Sequence, residues 1–179
     1  MLPPAPWSTE SGTVGGSFAP AFNCSAAGGV TVDEDMSQNP RVDISRPSWD
    51  EYFLGIAVAV SARADCRRRR VGAVLVANNR IVATGYNGAP SGGPSCLAGE
   101  CPRGLLDAQT LTPGSSYDTG SGACVALHAE QNCLLYADRS RAEHATIYIT
   151  HEPCDGCRRM IAGSGVIRAV WPDGVWQVR

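Results

Sequence analysis

Leu127-His128-Ala129-Glu130-Gln131-Asn132 at one end and Glu152-Pro153-Cys154-Asp155-Gly156-Cys157 at the other bracket the stretch around which this chain is organised. Between the two ends, Gln131 to Ala137 reads as helix and Thr146 to Thr150 as strand. Cys154 to Ala162 reads as the next helix, closing at Gly163 and Gly165. A catalytic zinc keeps three protein ligands and leaves its fourth tetrahedral position to water. His128, Cys154 and Cys157 can supply three, because cysteines spaced C-x-x-C reach one ion from a helix's first turn, where the dipole favours thiolate. Glu130, two residues after the histidine, then serves as proton carrier between the activated water and the reacting group.

Each half of the pattern has a plainer reading. A lone C-x-x-C can be redox-active or half of a structural zinc site, but a structural site is normally closed by four protein ligands. Both halves in this order, with a helix and a strand between them and Pro153 before the first cysteine, favour the open, catalytic site.

The composition bounds the rest. A chain of 179 residues with 44% hydrophobic and 18% charged content makes one domain with a real core. A net charge of -2 argues against a general nucleic-acid binder. No apolar run approaches the roughly 20 residues that span a bilayer. Met1-Leu2-Pro3-Pro4 does not open a secretory signal, so a reducing cytoplasm is expected, where eight cysteines point to metal before disulfides.

Residues 1–45, rich in Pro, Gly, Ser and Ala without sustained periodicity, read as a flexible tail, with Cys24 a free thiol and Trp7, Phe18 and Phe22 the residues that could dock. The domain then runs 46–179. Ser48 and Glu51 form a capping box, and Tyr52, Phe53, Ile56, Ala57, Val60 and Ala64 place one apolar face on a helix ending near Asp65. The run Arg67 to Arg70 is either a solvated turn or the source of a guanidinium for a phosphate. Val71–Val76 and Arg80–Thr84 flank Asn78-Asn79 as a two-residue hairpin. Asn87, in Gly85-Tyr86-Asn87-Gly88, is either a turn residue or a ligand contact. The long segment 91–122 must be functional or pinned. Cys66, Cys96, Cys101 and Cys124 lie in or beside it, and either close a second zinc, remain independent thiols or, in an exported protein, form a disulfide. Cys133 reads as a buried small side chain, and His144 and His151 as non-ligands. Val166–Trp171 reads as the fourth strand, with Pro172 to Arg179 simply ending the chain.

Taken together, Ser45 to Phe53, Cys66 before Val71-Gly72-Ala73-Val74, Gly85-Tyr86-Asn87-Gly88, His128-Ala129-Glu130-Gln131-Asn132 and Pro153-Cys154-Asp155-Gly156-Cys157 resemble the deoxycytidylate (dCMP) deaminase family over about residues 46–172. The resemblance implies an α/β fold of the cytidine deaminase-like type. This is a three-layer α/β/α sandwich on a central mixed sheet, here expected without the usual last helix and strand. It implies zinc on His128, Cys154 and Cys157, with Glu130 as proton shuttle. Asn87 and Arg68 become contacts to the sugar and the phosphate, and Ala129 a further substrate contact. A structural zinc on Cys66, Cys96, Cys101 and Cys124 is implied, as is a homo-oligomer of a kind often responsive to dCTP and dTTP. The partner expected is a small-molecule nucleotide, with neither nucleic acid nor membrane. Three other readings stay open: a zinc deaminase of another nucleoside, base, modified cytosine nucleotide or nucleoside antibiotic; an RNA-editing deaminase; and a non-catalytic zinc-binding module.

Overall fold

The computed structural model describes residues 45–107, 109–111, 114–120 and 122–179. The expected N-terminal tail, with Cys24, Trp7, Phe18 and Phe22, lies outside the described residues but for Ser45.

Helix α1 spans Trp49–Ser61 and starts at the expected capping box. Glu51 N donates to Ser48 Oγ at 3.2 Å, and Ser48 N donates to Glu51 Oε2 at 2.8 Å. The helix stops before Asp65 because the next amides tighten onto carbonyls three residues back: Arg63 N on Val60 O at 3.1 Å and Ala64 N on Ser61 O at 3.0 Å. Phe53 and Ala57 form its buried face, whereas Tyr52, expected on that face, stands 49% exposed and meets Phe53 edge-on at 5.0 Å.

Strands β1 (Gly72–Ala77) and β2 (Arg80–Tyr86) form the expected hairpin. Asn78 and Asn79 take φ of 52° and 57°, the left-handed pair that a two-residue turn demands. A short helix α2 (Pro102–Leu105) interrupts the long loop. Helix α3 covers Ala129–Leu135, opening two residues earlier than Gln131, so that Glu130 lies in its first turn. A one-turn α4 (Arg139–Ala142) precedes β3 (Thr146–Ile149). Helix α5 (Asp155–Ser164) runs through Gly163 and ends at Gly165, whose φ of 94° makes it the left-handed cap. Strand β4 is Arg168–Trp171.

The sheet is mixed, ordered β2-β1-β3-β4-β5, with β3 and β4 parallel and the other pairs antiparallel. Its fifth strand, β5 (Gly174–Gln177), is formed by residues that read as the plain end of the chain. Trp171 pairs with Gly174, so Pro172-Asp173 is a two-residue turn and β5 follows β4 directly, with no helix between them. A Cβ on Gly174 would lie 2.6 Å from the Trp171 ring, so only glycine lets that indole fold over the turn.

Side-chain alternation builds three layers. Val74, Val76, Tyr148 and Val170 face α1 through Phe53 and Ala57. Ala73, Leu75, Ile147, Ile149 and Ala169 face the opposite side, where Ala129 and Cys133 of α3 and Ile161 of α5 close the larger core. Two glycines set how near the layers come. A Cβ on Gly72 would sit 2.1 Å from Ala57 O, and one on Gly85 would sit 2.3 Å from Ala129 O and from Cys133 N. Helices α1 and α3 therefore lie directly against the sheet at those points. Cys133 is fully buried, as expected, donating to Ala83 O at 3.5 Å, and burial pushes its thiol up to about 12. Among the described residues no helix is long and apolar enough to cross a membrane.

Candidate active site

Two helix N-termini meet at the carboxyl ends of β3 and β4, the parallel pair. His128 is the residue before α3, and its backbone N–H donates to Gln131 Oε1 at 2.8 Å, which fixes the entry to the helix. Asn132, one residue further, donates through Nδ2 to Tyr86 O at 2.9 Å and ties α3 to the end of β2. Cys154 is the N-cap of α5, and Cys157 lies in its first turn.

These placements put His128 Nδ1 at 3.5 Å from Cys154 Sγ and 3.4 Å from Cys157 Sγ. Among the described residues this is the one set of three or more such donors whose ligand atoms all lie within 4.8 Å of one another. A tetrahedral zinc with Zn–N of about 2.0 Å and Zn–S of about 2.3 Å separates an imidazole nitrogen from a thiolate by about 3.5 Å. The donor set fits that ion in both chemistry and spacing, and leaves a fourth position for a small molecule. Burial, and then the neighbouring Glu130 and Cys154, push the Cys157 thiol up. A dication is the group that would reverse that.

Glu130 is 4% exposed, one of two buried charged residues among those described. Burial lifts its carboxyl above the ordinary carboxylate range, against the opposing pull of its own backbone N–H, His128 and Cys157. It faces a cavity of about 470 Å³ that is also lined by Ala129, His128, Cys154 and Asn87.

The structure brings Arg68 and Asn87 to that cavity but employs both side chains locally. Arg68 Nη1 donates to Leu106 O at 2.7 Å. Asn87 Oδ1 accepts from Val71 N at 2.8 Å while its Nδ2 donates to Arg69 O at 2.9 Å, clamping the entry to β1. Arg69, one of the four arginines offered for a phosphate, and His151, read as a non-ligand, line the same cavity. Burial first, then the Arg69 charge, hold the His151 imidazole below its ordinary value.

Cys66, Cys96, Cys101 and Cys124 also line the cavity, although no three of their sulfurs lie within 4.8 Å of one another. Cys101 Sγ and Cys124 Sγ are 3.9 Å apart, and backbone amides point at the sulfurs: Arg69 N at Cys66 and Arg67 N at Cys96, each at 3.5 Å. Burial raises the Cys96 thiol to about 11, whereas amides of Val125 and Gly104 help hold Cys101 low against its burial.

The long loop is pinned by the chain itself. The Asp65 carboxylate accepts from Leu97 N at 2.9 Å, Ser95 Oγ at 3.1 Å and Cys96 N at 3.2 Å. Gly88 and Leu127 exchange two backbone bonds, of 3.2 and 3.0 Å, immediately before His128. Arg103, buried in α2, donates to Ser116 O, Gly122 O, Ser115 O and Ser115 Oγ at 2.8 to 3.3 Å. Its guanidinium lies 4.1 Å from the Tyr117 ring centre, and Tyr117 meets the His128 ring edge-on at 4.8 Å. A charged residue in a glycine-rich loop carries no periodic signal, so Arg103 and Tyr117 escape a reading by pattern.

Comparison with known proteins adds a family. The cytidine and deoxycytidylate deaminase zinc-binding region matches residues 47–172. The deoxycytidylate deaminase of Mycobacterium phage D29 is 53% identical over 130 residues, covering 72% of this chain and 98% of that protein. The deoxycytidylate deaminase of Schizosaccharomyces pombe is 42% identical over 127 residues, covering 70% of this chain but 37% of the yeast protein, so the chain spans well under half of that relative. The dCMP deaminase of cyanophage S-TIM5, solved in complex with dCMP and dUMP, superposes with a TM-score of 0.52 at 30% identity, covering 71% of this chain and 82% of that one.

Proposed function

Since the chain belongs to the cytidine and deoxycytidylate deaminase zinc-binding family, we propose that it hydrolyses the 4-amino group of deoxycytidine monophosphate, giving dUMP and ammonia. The observation that carries this reading is the His128, Cys154 and Cys157 donor set beside the buried Glu130 carboxylate in one cavity. Zinc held by the three donors supplies the Lewis acidity that makes water a nucleophile near neutral pH. Glu130 takes the water's first proton and delivers it to the ring nitrogen, then takes the second from the oxygen now bonded to C4 and delivers it to the departing amine, so both protons are accounted for and the carboxylate ends the cycle as it began. Its burial keeps each proton within the site during its transfer. Ala129, fully buried at the start of α3, backs the base site. Arg68, Arg69 and His151 on the cavity lining are the candidates for the phosphate, and Asn87, whose amide bonds Val71 and Arg69, for a sugar hydroxyl.

Two finer assignments accompany this. The first is a structural zinc on Cys66, Cys96, Cys101 and Cys124. The 3.9 Å separation of Cys101 and Cys124 supports it, since two thiolates on one tetrahedral zinc lie about 3.8 Å apart, as do the amides aimed at the sulfurs. The second is a homo-oligomer working in the cytoplasm. The apolar side chains of Leu135 and Tyr136 at 62% and 77% exposure support the first part, and a site built on free thiolates supports a reducing compartment.

The test is ammonia release from zinc-loaded protein with dCMP, CMP, dCTP, deoxycytidine, 5-substituted dCMP and guanine in parallel. Turnover highest with dCMP is expected. No turnover of any cytosine nucleotide by protein that holds zinc would overturn the reading.

A further inference from the structure

Arg158, the residue after Cys157, bonds to each of the three residues that lead into α5. Its backbone N–H donates to Cys154 O at 2.8 Å, its Nε donates to Pro153 O at 3.2 Å, and its Nη2 donates to Glu152 Oε1 at 2.7 Å. The first bond belongs to any helix's first turn. The other two need a planar guanidinium, which donates along two directions at once from a single rigid group.

What aims that group is the terminal hairpin. The guanidinium carbon lies 5.5 Å from the Trp171 ring centre and 5.0 Å from the Trp176 ring centre, so β4 and β5 each contribute an indole. Trp171 reaches its position across Gly174, where any Cβ would meet the ring. Trp176 lies on β5, opposite Ala169 in the β4–β5 ladder. A cation over indole faces is favoured most where part of its hydration is stripped away, and the Arg158 side chain is 28% exposed.

We propose that Arg158 is a positioning residue for the Cys154 donor, and that the Trp171–Trp176 pair of the β4–β5 hairpin exists to hold it in register. This rests on the zinc site of the proposed function. Cys154 sits at the junction between an extended loop and a helix and makes no side-chain capping hydrogen bond, so its orientation depends on what holds the neighbouring backbone. By gripping Pro153 and Glu152, Arg158 fixes the approach of the backbone and hence the direction of the Cys154 Cα–Cβ bond. Outer partners of metal ligands act in this way, and their loss costs roughly 10–100-fold in metal affinity or activity.

The test uses the full-length, zinc-loaded protein mixed with excess chromophoric chelator, with the rate of zinc transfer as readout and thermal unfolding recorded alongside. Arg158→Lys keeps a cation between the indoles but loses the two-direction donor; Arg158→Met loses both. Trp176→Leu removes one wall of the cage and Trp176→Phe keeps a ring there. Both Arg158 variants are expected to release one zinc roughly tenfold faster than the parent. Trp176→Leu should follow them, and Trp176→Phe should stay near the parent. The thiolate-to-cobalt absorption of the cobalt(II)-loaded Arg158→Lys protein should also shift, which a purely structural role would not require. If Arg158→Met does not fold, Arg158→Lys carries the test. Release by Arg158→Lys at the parent rate overturns the proposal. A parent protein that holds zinc but deaminates nothing defeats the proposed function and leaves this comparison standing. A parent that binds no zinc overturns both.

Discussion

At the scale of single residues, Glu130 is the buried carboxylate on the cavity, whereas Glu152, the other carboxylate there, is exposed and paired with Arg158. Glu130→Gln keeps the shape and loses the proton carrier, so kcat should fall by about 10²–10⁴-fold while zinc per chain is unchanged, as metal analysis would show. Asp50 tests a different residue-scale feature, on the far face of the sheet. Its carboxylate takes two bonds from Arg168, at 2.8 and 2.6 Å, and one from the Tyr148 hydroxyl at 2.9 Å. The Arg168 hydrogen bonds, opposed by burial, hold the Asp50 carboxyl below its ordinary range. The unfolded chain therefore binds that proton more readily, and the contribution is fully present above the ordinary aspartate value of about 3.9 and is lost as pH falls through the lower folded value. The pair is partly exposed, so Asp50→Asn should cost only about 1 kcal/mol in urea unfolding near pH 7, with the gap to the parent closing in strong acid. His128, Glu130, Cys154 and Cys157 were legible because their short spacings place them on helix starts whatever else the chain does. Arg103, Tyr117 and Arg158 were not, since their partners are brought to them by a loop and a hairpin whose geometry no local pattern encodes.

Among the elements, the distance of α3 from the sheet is set at Gly85. Gly85→Ala would drive a methyl group into Ala129 O and Cys133 N, tilting the helix that presents His128 and Glu130. A loss of about 1–3 kcal/mol is expected in denaturant unfolding, with a fall in kcat beyond what the lower stability accounts for. The glycine of the Gly-Tyr-Asn-Gly stretch thus has a packing reason of its own, which the sequence reading, intent on Asn87, did not supply. The β1–β2 hairpin was legible because Asn78-Asn79 names its turn. Strand β5 was not: it is four residues long, alternates half-buried with exposed positions, and contributes no fully buried side chain by which an apolar pattern would have marked it. Its role emerges from what its tryptophan touches.

Across the whole molecule, the three layers pack around a cavity whose His128, Cys154 and Cys157 donors a metal would hold together. Zinc should raise the unfolding midpoint and a chelator should lower it, by an amount that grows with the logarithm of free metal, since binding to the folded state alone is a mass-action term. Scanning calorimetry at several zinc concentrations checks this, and metal analysis of the purified chain should give two ions. The fold class was legible from the order of helix, strand and metal motifs; the path of residues 91–122 was not, because it follows from side chains such as Asp65 and Arg103 reaching across the loop. One consequence concerns how such a chain can change over generations. Gly88 and Leu127 are stapled to each other by paired backbone bonds, so the segment between them starts and ends at one point, with Asp65 and Arg68 tying parts of it back to the domain. Its stapled ends make it tolerant: lengthening it at the exposed Thr119 and Gly120 adds only about 0.6 kcal/mol per doubling of loop length, provided Tyr117 keeps its place against His128. New sequence can therefore be tried out above the cavity, altering what is admitted, while the chemistry beneath it is inherited intact.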